Sequence, residues 1–286
     1  MIDVRNPLSQ SEPLSDNPPT APTPVRPGRP WLQLRPPHGF QWNRITLPIA
    51  GLPPALAGYR ILHLCDFHFR RSWSDAYDQI IQRTRSDPPG LILIGGDYVE
   101  DKYDHQPALP NVQRLLAGLN SRHGCFGVLG NHDGRIGRAI DGFHIKLIDR
   151  QRLLIPADGG QIELIGLPRL HPVHWMDLKF TSSLPPRVPG VPRIILSHFS
   201  HYLPHTLKAQ PDLFLAGHTH GGQVCLPGGI PVLKHTPLPR RMVRGIHRVG
   251  ETWLVANRGL GFSTISLRLF CPSEVVEIEL QPQKTE

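Results

Sequence analysis

The sequence has no apolar window near the roughly 18 residues that a membrane-spanning helix needs, so any meeting with a membrane takes place at its surface. Cysteine is scarce: Cys65, Cys125, Cys225 and Cys271 are scattered and form no C-x-x-C. That spacing excludes a disulfide framework and a thiolate zinc cluster, and a reduced, cytoplasmic protein is the simplest reading. The first residues, 1–7, lack the charged and apolar blocks of a signal peptide. No internal repeat is visible. Carboxylates are outnumbered, with 31 Lys and Arg against 23 Asp and Glu and a formal charge of +8. Such a balance favours anionic partners: phosphates, nucleic acid or an acidic membrane surface. A cationic surface alone identifies no function.

Proline and histidine are what the chain has in excess, 32 and 16 in 286 residues. Ten of the prolines fall within the first 37 residues, so residues 1–42 read as a disordered Pro-rich leader. Such a leader could engage a partner that reads extended proline helices. Residues 25–35 mix Arg with Trp and Leu, which suits either a weak anchor for an anionic membrane or a plain linker. From residue 43 onward the pattern changes to that of one α/β domain, 43–286. Residues 44–49, 59–65, 91–94 and 125–129 read as strands, as do 144–149, 152–155, 161–166, 193–196 and 213–216. Helical patterns occupy 73–85 and 107–120, and residues 168–190 read as a Pro-, His- and Trp-containing loop. In open α/β sheets ligands bind beyond the carboxyl ends of strands. Here five of those ends carry polar residues.

The first is Asp66-Phe67-His68, two donors at i and i+2 that extended backbone would aim the same way. The second is Gly95-Gly96-Asp97, where glycine lets the backbone turn and the carboxylate face a cavity. The third, Gly130-Asn131-His132-Asp133, is the most specific: Asn offers a neutral oxygen to a metal, and His a group that protonates near neutral pH. The fourth is Ser197-His198. The fifth, residues 217–222, sets His218 and His220 on a glycine-flanked loop. Taken singly, Asp66 could cap a helix, His198 could be a core histidine, and Asn131 and Asp133 could be turn residues. Together they form an oxygen- and nitrogen-rich set without thiolate, suited to Mn, Fe or Zn.

In this order the motifs resemble those of the calcineurin-like metallophosphoesterase superfamily, over residues 58–280. Residues 217–224 and 257–261 are similar to a bacterial branch of small phosphodiesterases that includes a UDP-2,3-diacylglucosamine pyrophosphatase. The resemblance implies an α/β four-layer sandwich, two central β-sheets flanked by helices. It implies two divalent ions, one on Asp66, His68 and His220 and the other on Asn131, His198 and His218, with Asp97 bridging. It makes His132 a catalytic residue that faces the phosphate, and a bridging water the nucleophile. Glu100 stands where the superfamily often has Asp, and would orient His132. Asp101-Lys102 replaces the Arg-Gly of serine/threonine protein phosphatases, which argues against that activity.

Substrate contacts are sought in Arg258, and in Arg169 and His174 of a loop in position for a lid. The basic stretch 234–248 could grip a diphosphate or an anionic headgroup. The expectation is therefore a metal-dependent phosphodiesterase or pyrophosphatase acting on a phosphate ester, with a nucleotide-diphosphate lipid among the substrates implied. Peripheral contact with an anionic inner membrane rests on residues 25–45 and 234–248. A phosphomonoesterase or nuclease is the alternative, although the spread of basic residues argues against nucleic acid. A non-catalytic metal-binding scaffold is the alternative from another class.

Overall fold

The computed structural model describes residues 23–24, 31–134, 136–167 and 175–283. Strands Leu91–Ile94, Arg193–Leu196 and Leu213–Ala216 are buried along their whole length. A strand that is apolar on both faces needs cover on both faces, and each sits inside a sheet sandwiched between other layers.

One sheet has seven strands in the order Thr23–Pro24, Gln41–Ile49, Glu274–Pro282, Arg60–Leu64, Leu91–Ile94, Cys125–Gly127, Lys146–Leu147. Its last four strands run parallel. The other sheet has six, in the order Gly245–Val249, Thr252–Ala256, Leu213–Ala216, Arg193–Leu196, Gly160–Gly166, Arg152–Ala157. Its four central strands are parallel and both its outer pairs antiparallel.

Alternation of side chains sorts the core into three sheets of contact. Ile61, Leu91 and Leu93 face Leu164, Ile194, Leu213 and Val255 between the two sheets. The opposite faces of the same strands bury Leu62, Leu64, Ile92 and Ile94 under helices Asp75–Ser86 and Leu109–Gly118. On the far side Ile165, Ile195, Phe214 and Leu254 are covered by Phe199, Tyr202, Leu203 and Phe180. The result is the expected four-layer α/β sandwich. Helix Asp75–Ser86 starts where Ser74 accepts from the Ala76 N–H at 3.2 Å, and carries acids in its first turn and arginines in its last.

Two expectations change. Part of the stretch read as leader is paired: Leu32–Leu34 lies antiparallel to Leu267–Leu269, and Gln33 accepts from the Ser273 N–H at 2.7 Å. Strand Gln41–Ile49 likewise begins inside that stretch. Within the expected loop 168–190, residues Trp175–Ser182 form a helix. Its anchor is Asp177, buried, which accepts from Arg150 Nε at 2.6 Å and from the Tyr202 hydroxyl at 2.8 Å.

Candidate metal centre

The carboxyl ends of strands from both sheets converge on one spot, each releasing a polar residue within a few positions of the strand. Arg60–Leu64 delivers Asp66 and His68, Leu91–Ile94 delivers Asp97, and Cys125–Gly127 delivers Asn131 and His132. From the other sheet, Arg193–Leu196 delivers His198 and Leu213–Ala216 delivers His218 and His220. Close approach of these loops requires glycine: a Cβ on Gly217 would come within 2.5 Å of Asp66 Oδ2.

Donor atoms gather in two neighbouring groups, Asp66 with His68 and His220, and Asp97 with His198 and His218. Asp97 Oδ2 lies 3.4 Å from His68 Nε2 and 3.3 Å from His198 Nε2, between the groups. Asn131 Oδ1 is 2.9 Å from His198 Nε2, which places it on the second. The Nε2 atoms of His68 and His220 face each other at 2.9 Å, and buried His218 Nδ1 has no hydrogen-bond partner. Converging, unpaired nitrogen donors beside carboxylates are what a hard-to-borderline divalent cation takes, so the residues fit a metal. A third group, His68, Glu100 and His132, shares His68 with the first.

Except at His198, where an ion would have to displace a proton, charge states suit that role. Burial pushes the Asp97 carboxyl up, but the pull of His198, His68 and His132 prevails and holds it far below the ordinary carboxylate value. Burial, reinforced by His198 and by His68 respectively, drives His218 and His220 well below the ordinary imidazole value, keeping both neutral. Burial also lowers His198, yet Asp97 and Asp66 outweigh it and raise that group to about 9. The Nδ1–H of His198 donates to the Gly95 carbonyl at 2.7 Å, which leaves Nε2 as the atom aimed at the centre.

The backbone of these loops is unusual. Asp66, His68, Asp97, His218 and His220 have φ of 53°, 46°, 54°, 68° and 51°, in the left-handed region. The expected extended Asp-x-His is therefore a pair of left-handed residues, and its two side chains meet through a turn, not a pleat. Non-glycine residues held this way store strain, and such strain gathers at functional sites.

Glu100 acts differently from its expected role. Its backbone carbonyl, not its carboxylate, receives His132 Nδ1 at 2.5 Å. The carboxylate goes to His68 Nδ1 at 2.7 Å and to Arg70 at 3.0 Å. The added methylene lets it bypass His132. Burial raises this carboxyl, but His68, Arg70 and Arg35 bring it down to about 2.

Arg258 also departs from expectation as a phosphate contact. Its guanidinium donates to Glu274 Oε2 at 2.6 Å and Gln41 Oε1 at 2.7 Å, a buried pairing that any phosphate must compete with. Arg169 and His174, with the rest of residues 168–174, lie outside the described residues.

Three supporting residues escaped the sequence reading. Buried Asp133, read as a turn residue, accepts from the N–H groups of Asp97 and Gly130 at 2.7 Å, Tyr98 at 2.9 Å and Val99 at 3.3 Å. It ties the Asp97 loop to the Asn131 loop, and its place in Gly-Asn-His-Asp was the available signal. Asn257 does the same across the sheets, donating to the His63 carbonyl at 2.9 Å. Buried Arg268 places Nη2 at 3.1 Å from His220 Nδ1 and donates to the carbonyls of Arg258 and Gly261 at 2.7 Å. Nothing in its sequence context marked it.

Beside His132 opens a cavity of about 440 Å³ lined by Arg70, Arg71, Glu100, Lys102 and Tyr103. A two-sheet sandwich with clustered His and Asp at the strand ends, next to a partly cationic cavity, defines a metal-binding protein of the α/β sandwich class. The sequence model of calcineurin-like phosphoesterases matches residues 59–222, and the chain belongs to that family. It is similar to the Escherichia coli phosphodiesterase YaeI, 33% identical over 78% of this chain and 83% of that one. It is also similar to the Bacillus subtilis metallophosphoesterase YkuE, 29% identical over 86% of this chain and 87% of that one. Among solved structures, a dimetal phosphatase from Danio rerio matches with a TM-score of 0.39 and 11% identity, over 71% of this chain and 88% of that one.

Proposed function

We propose that this phosphoesterase hydrolyses a phosphodiester or pyrophosphate bond at a centre of two divalent ions. The observation that carries the reading is the position of Asp97, within 3.4 Å of ligand-type nitrogens from both donor groups. Asp66, His68 and His220 would hold one ion, and Asn131, His198 and His218 the other, with Asp97 shared. When bound, the ions supply positive charge to the phosphate oxygens and acidity to a water molecule.

The remaining roles fall to side chains. His132, held through Nδ1 by the Glu100 carbonyl, lines the cavity and keeps Nε2 for the substrate. From there it stabilises charge on the phosphoryl group or protonates the leaving oxygen. Glu100 fixes the ring of His68, and Asp133 fixes the loop of Asp97. The cavity gives room for a second substituent on the phosphate, which favours a diester over a small monoester. Similarity to a protein called a phosphodiesterase points the same way.

The test is hydrolysis of bis-p-nitrophenyl phosphate against p-nitrophenyl phosphate with Mn²⁺, repeated with chelator and with His132→Ala. Preference for the diester, lost in both controls, is the expected result. Preference for the monoester would make the enzyme a phosphatase, and inactivity of fully metal-loaded protein on either would overturn the reading.

A further inference from the structure

We infer that a hairpin beside the metal centre docks this protein onto an anionic lipid bilayer. The inference goes beyond the hydrolytic reading and does not depend on it.

The loop that carries His218 and His220 runs straight into the hairpin of Cys225–Leu226 and Ile230–Pro231. A Cβ on Gly222 would come within 2.6 Å of Pro231 Cβ, so the hairpin base lies directly on that loop. Its tip is a type II turn: the Gly229 N–H donates to the Leu226 carbonyl at 2.8 Å, Pro227 presets the first dihedral, and Gly228 takes φ 80°. Along this hairpin and its exit, Leu226 is 54% exposed, Ile230 52%, Val232 47% and Leu233 60%. Soluble surfaces mostly scatter large aliphatics singly, whereas here four fall within eight residues, and Leu226 and Ile230 are cross-strand partners.

Cations border that hairpin, and the segment that carries it holds no carboxylate. Between Asp212 and Glu251 the sequence holds no Asp or Glu, while Lys234, Arg240, Arg241 and Arg244 fall there; Arg248, also in that stretch, pairs with Glu251 at 2.7 Å. Arg240 donates to the Pro231 carbonyl and Arg244 to the Gly228 carbonyl, which keeps both guanidinium groups against the hairpin. Lys234 and Arg241 are exposed. An aliphatic tip in a collar of one sign matches an anionic bilayer, where the tip enters the acyl boundary and the collar meets headgroup phosphates. Charge complementarity selects this occupant. Docked so, the molecule would bring its metal loop to the level of the lipid phosphates.

The experiment is flotation of the full chain with phosphatidylcholine vesicles made with and without phosphatidylglycerol. Wild-type protein should float only with the anionic vesicles. Leu226→Ser/Ile230→Ser/Leu233→Ser should weaken binding by about ten-fold or more while leaving hydrolysis of a soluble diester intact. Lys234→Ser/Arg241→Ser should weaken it by about 25-fold at low salt, near five-fold per cation. Leu154→Ser, on the distant edge strand Arg152–Ala157, should change nothing. Absence of wild-type flotation, or equal flotation of all variants, would overturn the proposal. So would a dimer, seen by sedimentation and abolished by the triple substitution, in protein that ignores vesicles; that result would give the surface to a second copy of the chain.

Discussion

His132 Nδ1 lies 2.5 Å from the backbone carbonyl of Glu100, while the carboxylate of the same residue lies 2.7 Å from His68 Nδ1. One residue thus orients two histidines with two chemically different groups, and mutation can separate them. Glu100→Gln removes only the charge that faces His68 and Arg70. The expected outcome is a loss of metal affinity of about 10- to 100-fold, with turnover near wild type once metal is saturating. Titrating activity with Mn²⁺ decides it. A fall in turnover that added metal does not rescue would mean that the carboxylate serves His132 after all.

Asp133 should matter for stability and metal together. Asp133→Ala leaves the buried N–H groups of Asp97, Tyr98 and Gly130 without their acceptor, each at a cost of about 1–3 kcal/mol. A fall in Tm of about 6 °C or more and a drop in bound metal are expected. Calorimetry with metal analysis of the same sample would check both, and an unchanged Tm would show that the two loops hold together without this carboxylate.

His63 gives a prediction in pH. It is fully buried, neither ring nitrogen has a hydrogen-bond partner, and burial pulls it from 6.5 to about 3. Because the folded value is depressed, the unfolded chain takes up a proton first as pH falls. The stability conferred by neutral His63 is complete above pH 6.5 and is lost progressively as pH drops toward 3. Below pH 6 the wild type should lose about 1.4 kcal/mol per pH unit more than His63→Leu. Urea unfolding of both proteins between pH 7 and 5 measures the difference; parallel curves would show that His63 does not titrate as described.

Metal removal should soften the fold. An ion present at about 100 times its Kd stabilises the folded state by about 2.7 kcal/mol per site, or several degrees in Tm. Chelation should reverse that gain, and His220→Ala should abolish part of it. Scanning calorimetry with and without Mn²⁺ would show this, and equal Tm values would contradict a metal held by these residues.

How far this was legible in the sequence depends on what holds each residue. Asp66, Asp97, His198 and His218 stood out together, because each follows a largely apolar strand and the same pattern recurs at five strand ends in one chain. Those apolar runs marked an α/β sheet protein, and the four-layer sandwich was implied by the family resemblance of the motifs that follow them. Helix Trp175–Ser182 was not legible because its apolar residues have no helical stripe, and one buried carboxylate, Asp177, secures it through partners 27 and 25 positions away. The split role of Glu100 and the bracing by Asp133 were hidden for a related reason. Both arise where two loops more than 30 residues apart touch, and which atom of a side chain or backbone gets there first is decided by that contact.

The left-handed backbone at positions 66, 68, 97, 218 and 220 bears on attempts to harden this protein. At each of these positions glycine or asparagine is the more comfortable tenant. A library selected for thermal endurance alone would drift toward those replacements and come out robust but inert. Endurance and turnover pull these loops in opposite directions, so a screen for hardier variants must reward both in every round.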